Sequence, residues 1–232
     1  MAGKRIAIVQ SSYIPWKGYF DLIRAVDEFV LFDDVQFTRR DWRNRNRIKT
    51  AGGSTWLTVP VNTKGQYHSA IRDITISDPE WASRHWKTIA ANYARAPYFA
   101  TYAPAVERLY AESRRATRLS AVNHAWIQAL CEALNIRTRL SWSMDYELPP
   151  GRTERLVSIC RQAGATAYLT GPSASGYIDR RQFEEANVQI AYADYSAYPE
   201  YPQLFPPFDH RVSVLDLILN AGPDATRYML SF

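Results

Sequence analysis

Two short apolar runs flank one amphipathic segment at the start of the chain, and this pattern constrains the fold more than any other feature. Residues 6–9 and 28–32 form nearly continuous apolar runs. Such runs are typical of strands that are buried on both faces of a parallel sheet. Between them, Phe20 and Ile23 lie at helical spacing within residues 19–25. The segment therefore predicts a strand–helix–strand unit, in which ligands bind at the carboxyl ends of the strands.

The rest of the chain alternates between helix-like and strand-like segments. Apolar spacing predicts helices at residues 81–93, 119–134, 153–164, 179–186 and 213–220, and a further helix that opens at Pro104. Strands are predicted at residues 55–61, 140–143, 166–170 and 188–192, with residues 71–76 expected to pair with the first of these.

This alternation predicts an α/β fold. We expect an N-terminal Rossmann-like βαβ unit, a central helical region and a smaller C-terminal α/β part. The expected organisation is a single domain over residues 1–232, with room for a subdomain break near residues 148–152, where Pro149, Pro150 and Gly151 interrupt the pattern.

The positive charge of the chain is concentrated in one short window. The formal net charge is +5, and residues 39–49 contain six basic side chains and one acidic side chain, so this window accounts for the whole excess. Clustered like charges repel each other unless an anion joins them. We therefore expect an anion site for phosphate, pyrophosphate or a nucleic-acid backbone; a solvated basic loop is the alternative. The candidate binding residues are Arg43, Asn44, Arg45, Asn46, Arg47 and Lys49. If the stretch is extended, its arginines share one face and its asparagines the other.

Loops that follow predicted strands supply further candidate binding residues. Residues 10–18 lie where a nucleotide-binding loop belongs but lack the glycine patterns of dinucleotide and Walker sites. Tyr13 and Lys17 are the candidates there. In residues 171–177 the candidates are Gly171, Ser173 and Tyr177, because backbone amides and hydroxyls can hold a phosphate or a carbonyl oxygen. A tight structural connection is the alternative.

Two residues are candidates for proton transfer. Asp34 follows a predicted buried strand and is a candidate general base, whereas a turn cap or a partner for neighbouring arginines is the alternative. His85 lies among tryptophans on a predicted helix, and its near-neutral intrinsic pKa suits acid–base chemistry. A buried structural histidine is the alternative for His85, and His68 is a second choice.

Cysteine and histidine usage argues against several classes of protein. The two cysteines, Cys131 and Cys160, are too few for a disulfide scaffold and lack zinc-ligand spacing. The four histidines form no HxxxH pair, so we expect neither a metal nor another cofactor. The chain contains no apolar run long enough for a membrane span and no signal-peptide pattern, so we expect a cytoplasmic protein.

Several long motifs resemble the WbqC-like protein family. They include QSSYIPWKGYFD at residues 10–21, DDVQ at 33–36, WRNRN at 42–46, WLTVPV at 56–61, YLTGPS at 168–173, YPQ at 201–203 and SVLDLILNAG at 213–222. The motifs follow each other in order along nearly the whole chain. One position departs from the pattern, because Tyr198 precedes Pro199 where family members often have histidine.

The resemblance implies a role in O-antigen or other surface-polysaccharide biosynthesis. For this family it implies glycine transfer, in which a glycyl group acylates the nitrogen of an amino sugar. Combined with the basic window, it leads us to expect an acyl or aminoacyl transferase that acts on a nucleotide-linked amino sugar or another phosphate-bearing small molecule. The acyl donor is left open, and aminoacyl-tRNA is one choice. The alternatives are an RNA-binding protein and a non-catalytic sugar-nucleotide-binding protein.

Overall fold

A parallel five-stranded sheet forms the centre of the protein. The computed structural model describes residues 3–65 and 68–230. The sheet contains β1 (Arg5–Val9), β2 (Glu28–Leu31), β5 (Arg139–Trp142), β6 (Ala167–Thr170) and β7 (Gln189–Tyr192). Its spatial order is β5-β2-β1-β6-β7, and every neighbouring pair is parallel. The α/β prediction is confirmed, and the predicted C-terminal strands belong to the same sheet as the N-terminal unit.

The strand order places the switch point of the sheet between β1 and β6. From β1 the chain moves outward to β2 and β5, whereas from β6 it moves in the opposite direction to β7. In open α/β sheets, the crevice outside the carboxyl ends of the two strands at the switch point is the usual ligand site.

Helices cover both faces of this sheet. The helices are α1 (Lys17–Arg24), α2 (Trp81–Tyr93), α3 (Phe99–Ser113), α4 (Leu119–Ala133), α5 (Arg152–Gln162), α6 (Arg180–Glu185) and α7 (Val214–Ala221). Alternate strand residues face the two layers: Ala7 and Phe29 pack with the larger apolar cluster, which includes α1 to α4 and α7, whereas Ile8 and Val30 pack with α5 and α6. Two-sided burial explains the continuous apolar runs in the sequence.

A separate hairpin contains three of the six basic residues of the basic window. β3 (Arg45–Thr50) and β4 (Gly53–Thr58) pair in antiparallel register, with Arg47 opposite Trp56. The predicted pairing of residues 71–76 with residues 55–61 is confirmed at a single bridge. Ile71–Asp73 form a 3-10 turn, and Ile76 makes only an isolated bridge to Val61.

The predicted start of one helix is also wrong. α3 begins at Phe99, so Pro104 lies inside the helix rather than at its first turn. Pro104 removes one backbone donor, but Val106 and Tyr110 on the same helix are buried in the core. Packing of these side chains therefore outweighs the local preference of proline.

Candidate functional site

A cleft of about 970 Å³ opens at the switch point of the sheet. Val9 and Gln10 at the end of β1 line it, and so do Thr170 and Gly171 at the end of β6. The wall also includes residues that follow β2 and residues from the start of α5, among them Asp34, Gln36, Thr38, Gly151, Arg152 and Arg155. The cleft therefore lies where the predicted βαβ unit should bind a ligand.

Three arginines line the cleft: Arg43, Arg152 and Arg155. The Arg43 guanidinium donates from Nη1 to the Ser11 carbonyl oxygen at 3.3 Å. Its Nε is buried and lies 3.7 Å from the Asp41 carboxylate, with which it forms an ion pair. Arg155 donates to the Pro149 carbonyl at 3.2 Å. Since Asp34 is the only acidic residue among the described residues of the wall, the cleft has an excess of positive charge.

Two of these arginines lie at the beginning of α5. Arg152 is its first residue, and Gly151, at the N-cap, has a φ of 103° that favours glycine. A helix N-terminus carries partial positive charge and attracts anions, and Glu154 supplies a carboxylate in the same turn as these arginines. The Arg152 guanidinium lies 4.3 Å from the centroid of the Tyr177 ring, which holds it at the mouth of the cleft.

Asp34 is the acidic group of the cleft, and both carboxylate oxygens have partners. Oδ1 forms an ion pair with Arg72, and Oδ2 accepts a hydrogen bond from the Ser143 hydroxyl. Arg155 donates to the Asp34 backbone carbonyl at 3.4 Å. These contacts fix the carboxylate at the rim, with 9% of its side chain exposed.

Buried side chains hold the loop between β1 and α1 in place through hydrogen bonds. The Ser11 amide donates to the Asp33 carboxylate at 2.9 Å, and Asn123 donates to the Ser11 hydroxyl at 3.0 Å. The Asn46 amide donates to the Ile14 carbonyl at 2.9 Å. Asp33 itself is fully buried, and this burial raises the pKa of its carboxyl. The loop is therefore held in place between Gln10 and Trp16, the two of its residues that line the cleft.

The structure brings together five of the residues predicted from the sequence. Asp34, Arg43, Gly171, Ser173 and Tyr177 all line the cleft. The other predicted residues do not line it: Tyr13, Lys17, Asn44, Arg45, Asn46, Arg47, Lys49 and His85.

Within the basic window, Arg43 is the arginine that reaches the cleft. Arg45 and Arg47 lie on the outer face of β3, with their guanidinium carbons 4.1 Å and 5.4 Å from the centroid of the Trp56 ring. Asn46 lies on the opposite, buried face, as expected for an extended strand. Trp56 accounts for part of the clustering of positive charge, because cations bind the faces of aromatic rings.

The other two polar residues of the window make internal hydrogen bonds. Asn44 donates to the Val59 carbonyl at 2.8 Å. Lys49 is buried, and its ammonium donates to the Pro207 carbonyl. Both side chains thus hold neighbouring loops against the hairpin.

His85 and Tyr13 lie in the hydrophobic core. The Tyr13 hydroxyl is 2.9 Å from His85 Nδ1 and 2.8 Å from the Tyr110 hydroxyl. Burial lowers the pKa of His85 to about 4. The imidazole is therefore neutral near pH 7 and lies away from the cleft.

Lys17 joins α1 to the C-terminal segment. Its ammonium donates to the Pro199 carbonyl at 2.8 Å and lies 4.7 Å from the centroid of the Tyr198 ring. Burial lowers the pKa of Lys17 to about 8. Tyr198, at the position that departs from the family pattern, donates its hydroxyl hydrogen to Asp21 at 2.8 Å. The residue that departs from the family pattern therefore lies in a packed polar cluster.

Sequence reasoning missed Arg152 and Arg155 as candidate residues. The available signal was the pair of arginines in the first turn of the helix predicted after Pro149, Pro150 and Gly151. Basic residues are unfavourable in a first turn, and Glu154, between the two arginines, offsets part of their charge.

The described part of the chain has neither a metal-ligand cluster nor a membrane-spanning helix. Residues 3–65 and 68–230 contain no cluster of three or more histidine, cysteine or carboxylate side chains that could hold a metal ion. Within the same residues, no helix has the length and apolar character needed to cross a membrane.

Comparisons with known proteins support the family resemblance that the sequence motifs indicate. The WbqC-like protein family matches residues 10–228. An uncharacterised protein of Mycobacterium tuberculosis (strain ATCC 25618 / H37Rv), Rv1507c, is 49% identical over 226 residues, which cover 97% of each chain. No solved structure matches the chain. The family match spans nearly the whole chain, and on this ground the protein belongs to the WbqC-like protein family.

Proposed function

We propose that this protein is a transferase of surface-polysaccharide biosynthesis that acylates the nitrogen of a nucleotide-linked amino sugar with a glycyl or similar group. The observation that carries the proposal is the cleft at the switch point, which three arginines and a single carboxylate line. A nucleotide sugar brings a pyrophosphate, which suits the arginines, and an amine, which suits the carboxylate.

The arginines of the cleft bind the pyrophosphate in this proposal. Guanidinium groups form charge-assisted hydrogen bonds with phosphate oxygens, and such bonds are stronger than neutral ones. Arg43 supports this role because its guanidinium lines the cleft and has five N–H donors, of which one is given to the Ser11 carbonyl. The N-terminus of α5 adds partial positive charge at the same wall.

Asp34 accepts the proton in the transfer step. The sugar amine attacks the carbonyl carbon of an activated acyl donor, and an N–C bond forms. The bond between that carbon and the donor's leaving group then breaks, and the amine proton passes to the carboxylate. Backbone amides near Gly171 stabilise the negative charge that develops on the carbonyl oxygen. His85 has no part in this step, since it is buried away from the cleft.

The proposal is tested by incubating the purified protein with nucleotide-linked amino sugars and glycyl donors, glycyl-tRNA among them. Mass spectrometry should detect the acylated sugar nucleotide with the wild-type protein and not with Asp34→Asn. Failure of every donor to give product would refute the transfer. Product formation by Asp34→Asn at the wild-type rate would refute the role of the carboxylate. Ligand binding without any turnover would favour the non-catalytic alternative.

Arg43 and Arg45 provide a matched pair of variants for binding. Arg43→Gln should weaken nucleotide binding about tenfold to a hundredfold, since a hydrogen bond to a charged group contributes about 1.5–3 kcal/mol. Arg45→Gln removes the same charge from the outer face of the hairpin and should leave the affinity within about twofold. Isothermal titration calorimetry measures both; equal losses in the two variants would contradict the assignment of the cleft.

RNA binding is the second candidate function, and the surface of the hairpin favours it. Trp42 and Trp56 are 38% and 43% exposed, and Arg45 stacks on Trp56. Exposed aromatic rings beside arginines can stack on unpaired bases. RNA binding that weakens steeply with salt would support this function, whereas no binding at low salt would exclude it.

A further inference from the structure

A second, smaller chamber adjoins the cleft. Its volume is about 290 Å³. Val9, Trp16, Tyr19 and Arg43 line both spaces, so a single ligand can extend from one into the other. Trp42 lines the smaller chamber but not the cleft.

We infer that this chamber binds the nucleobase of a nucleoside diphosphate, with Arg43 contacting the phosphates at its junction with the cleft. This inference rests on the proposed function and assigns the orientation of the ligand. The base lies against Trp16 and Trp42, and the sugar-linked end of the ligand extends toward Asp34.

The lining of the chamber suits a planar aromatic group. Pro15, Trp16, Tyr19 and Trp42 supply three aromatic rings and one proline ring. Bases stack on such rings whatever their sequence identity, and each stacked base contributes about 1–3 kcal/mol. Small-molecule sites commonly combine mainly apolar walls with a few placed polar groups, and this chamber has that composition.

Asn46 is the most buried polar residue of the chamber wall, and its side chain already has hydrogen-bond partners within the protein. The Asn46 amide nitrogen donates to the Tyr13 and Ile14 carbonyls, and its oxygen accepts from the Arg47 amide at 2.8 Å. The other polar residues of this wall are Ser12, Arg43 and Arg211. A hydroxyl-rich sugar ring would therefore find fewer hydrogen-bonding partners here than in the larger cleft. The larger cleft offers Gln10, Thr38 and other polar side chains, and therefore suits the sugar better.

Trp42 is held in place before any ligand arrives. Its backbone carbonyl accepts from the Tyr13 amide at 3.1 Å, and its ring lies 5.3 Å from the centroid of Trp56. The side chain is 38% exposed despite these contacts. A fixed and partly exposed ring costs little conformational entropy when a base stacks on it.

Calorimetric titration of the full chain with ADP, GDP, CDP, UDP and inorganic pyrophosphate tests the inference. At least one nucleoside diphosphate should bind more tightly than pyrophosphate. Trp42→Ala should weaken binding of that nucleotide about tenfold, which corresponds to about 1.4 kcal/mol. The same variant should leave pyrophosphate binding within about twofold of wild type, and Trp42→Phe should restore most of the loss.

Trp86→Ala is the matched control. It removes a tryptophan of α2 that lines neither the chamber nor the cleft, and it should change both affinities less than about twofold. The inference is overturned if Trp42→Ala binds the nucleotide as wild type does, or if it weakens pyrophosphate equally.

The two proposals fail in distinguishable ways. Pyrophosphate binding with no added contribution from any base overturns the chamber assignment and leaves the phosphate site. Absence of binding by every nucleotide and by pyrophosphate overturns the proposed function and this inference together. Circular dichroism of each variant establishes that it is folded.

Discussion

Replacing His85 by glutamine should flatten the dependence of stability on pH in weakly acidic solution. Burial lowers the pKa of His85 in the folded protein from 6.5 to about 4. Between these values the unfolded chain binds a proton that the folded protein excludes, so the free energy of unfolding falls as the pH falls. Above the unfolded pKa, both states are neutral and the stability is fully present.

The magnitude follows from the difference between the two pKa values. Each pKa unit corresponds to about 1.36 kcal/mol, so the shift of His85 costs about 3 kcal/mol once the pH falls below the folded value. Between about pH 7.5 and about pH 5 the loss is about 2 kcal/mol. Buried Asp33 and Asp216, whose pKa values are raised by burial, act in the opposite sense but are present in both proteins.

Glutamine is a suitable replacement because its amide can accept from the Tyr13 hydroxyl and still donate. Urea unfolding followed by tryptophan fluorescence at both pH values gives the required free energies. Wild type should lose about 2 kcal/mol more than His85→Gln on acidification. An identical loss in wild type and His85→Gln would refute the assignment of a neutral, buried imidazole.

Two further substitutions test the packing around α7. Tyr201→Phe removes a hydroxyl that donates to the buried Asp216 carboxylate at 2.8 Å. The substitution should therefore reduce the free energy of urea unfolding by about 1.5–3 kcal/mol. A loss below about 0.5 kcal/mol would contradict this contribution of the hydrogen bond. Gly222→Ala should lower the thermal midpoint, because Gly222 has a φ of 55° and a Cβ there would lie 2.4 Å from Tyr98 Cδ1. Gly52→Ala is its control, since the nearest atom would be 4.0 Å away, and similar midpoints for the two variants would exclude strain at Gly222.

The elements that could be predicted from the sequence are those with local periodicity. The α2 helix spans Trp81–Tyr93 as predicted, because its buried residues recur every three or four positions. The strand–helix–strand unit was confirmed for a similar reason, since Ile8 and Val30 lie in runs that both faces of the sheet bury.

Local periodicity could not show which residues of the basic window make internal hydrogen bonds and which of them lines the cleft. Strand alternation places Asn46 on the face opposite Arg45 and Arg47, but the partner of its amide is the Ile14 carbonyl, which lies 32 positions earlier in the chain. Likewise, the role of Arg43 at the cleft depends on how residues after β2 pass the end of β1. Charge density indicated an anion site, but only the tertiary structure separates Arg43 from Arg45.

The same limit applies to His85. Its sequence neighbours identified an aromatic environment, whereas its distance from the cleft follows from the packing of α2 against Tyr13 and Tyr110. Hydrogen bonds between residues far apart in sequence thus decided which candidates lie in the core and which line the cleft.

A crystal structure of the protein with its tightest-binding nucleoside diphosphate tests the central claim most directly. The account predicts phosphate oxygens within hydrogen-bonding distance of Arg43, beside the carboxyl ends of β1 and β6. Phosphates bound instead to Arg45 and Arg47 on the outer face of the hairpin, with the cleft empty, would contradict it.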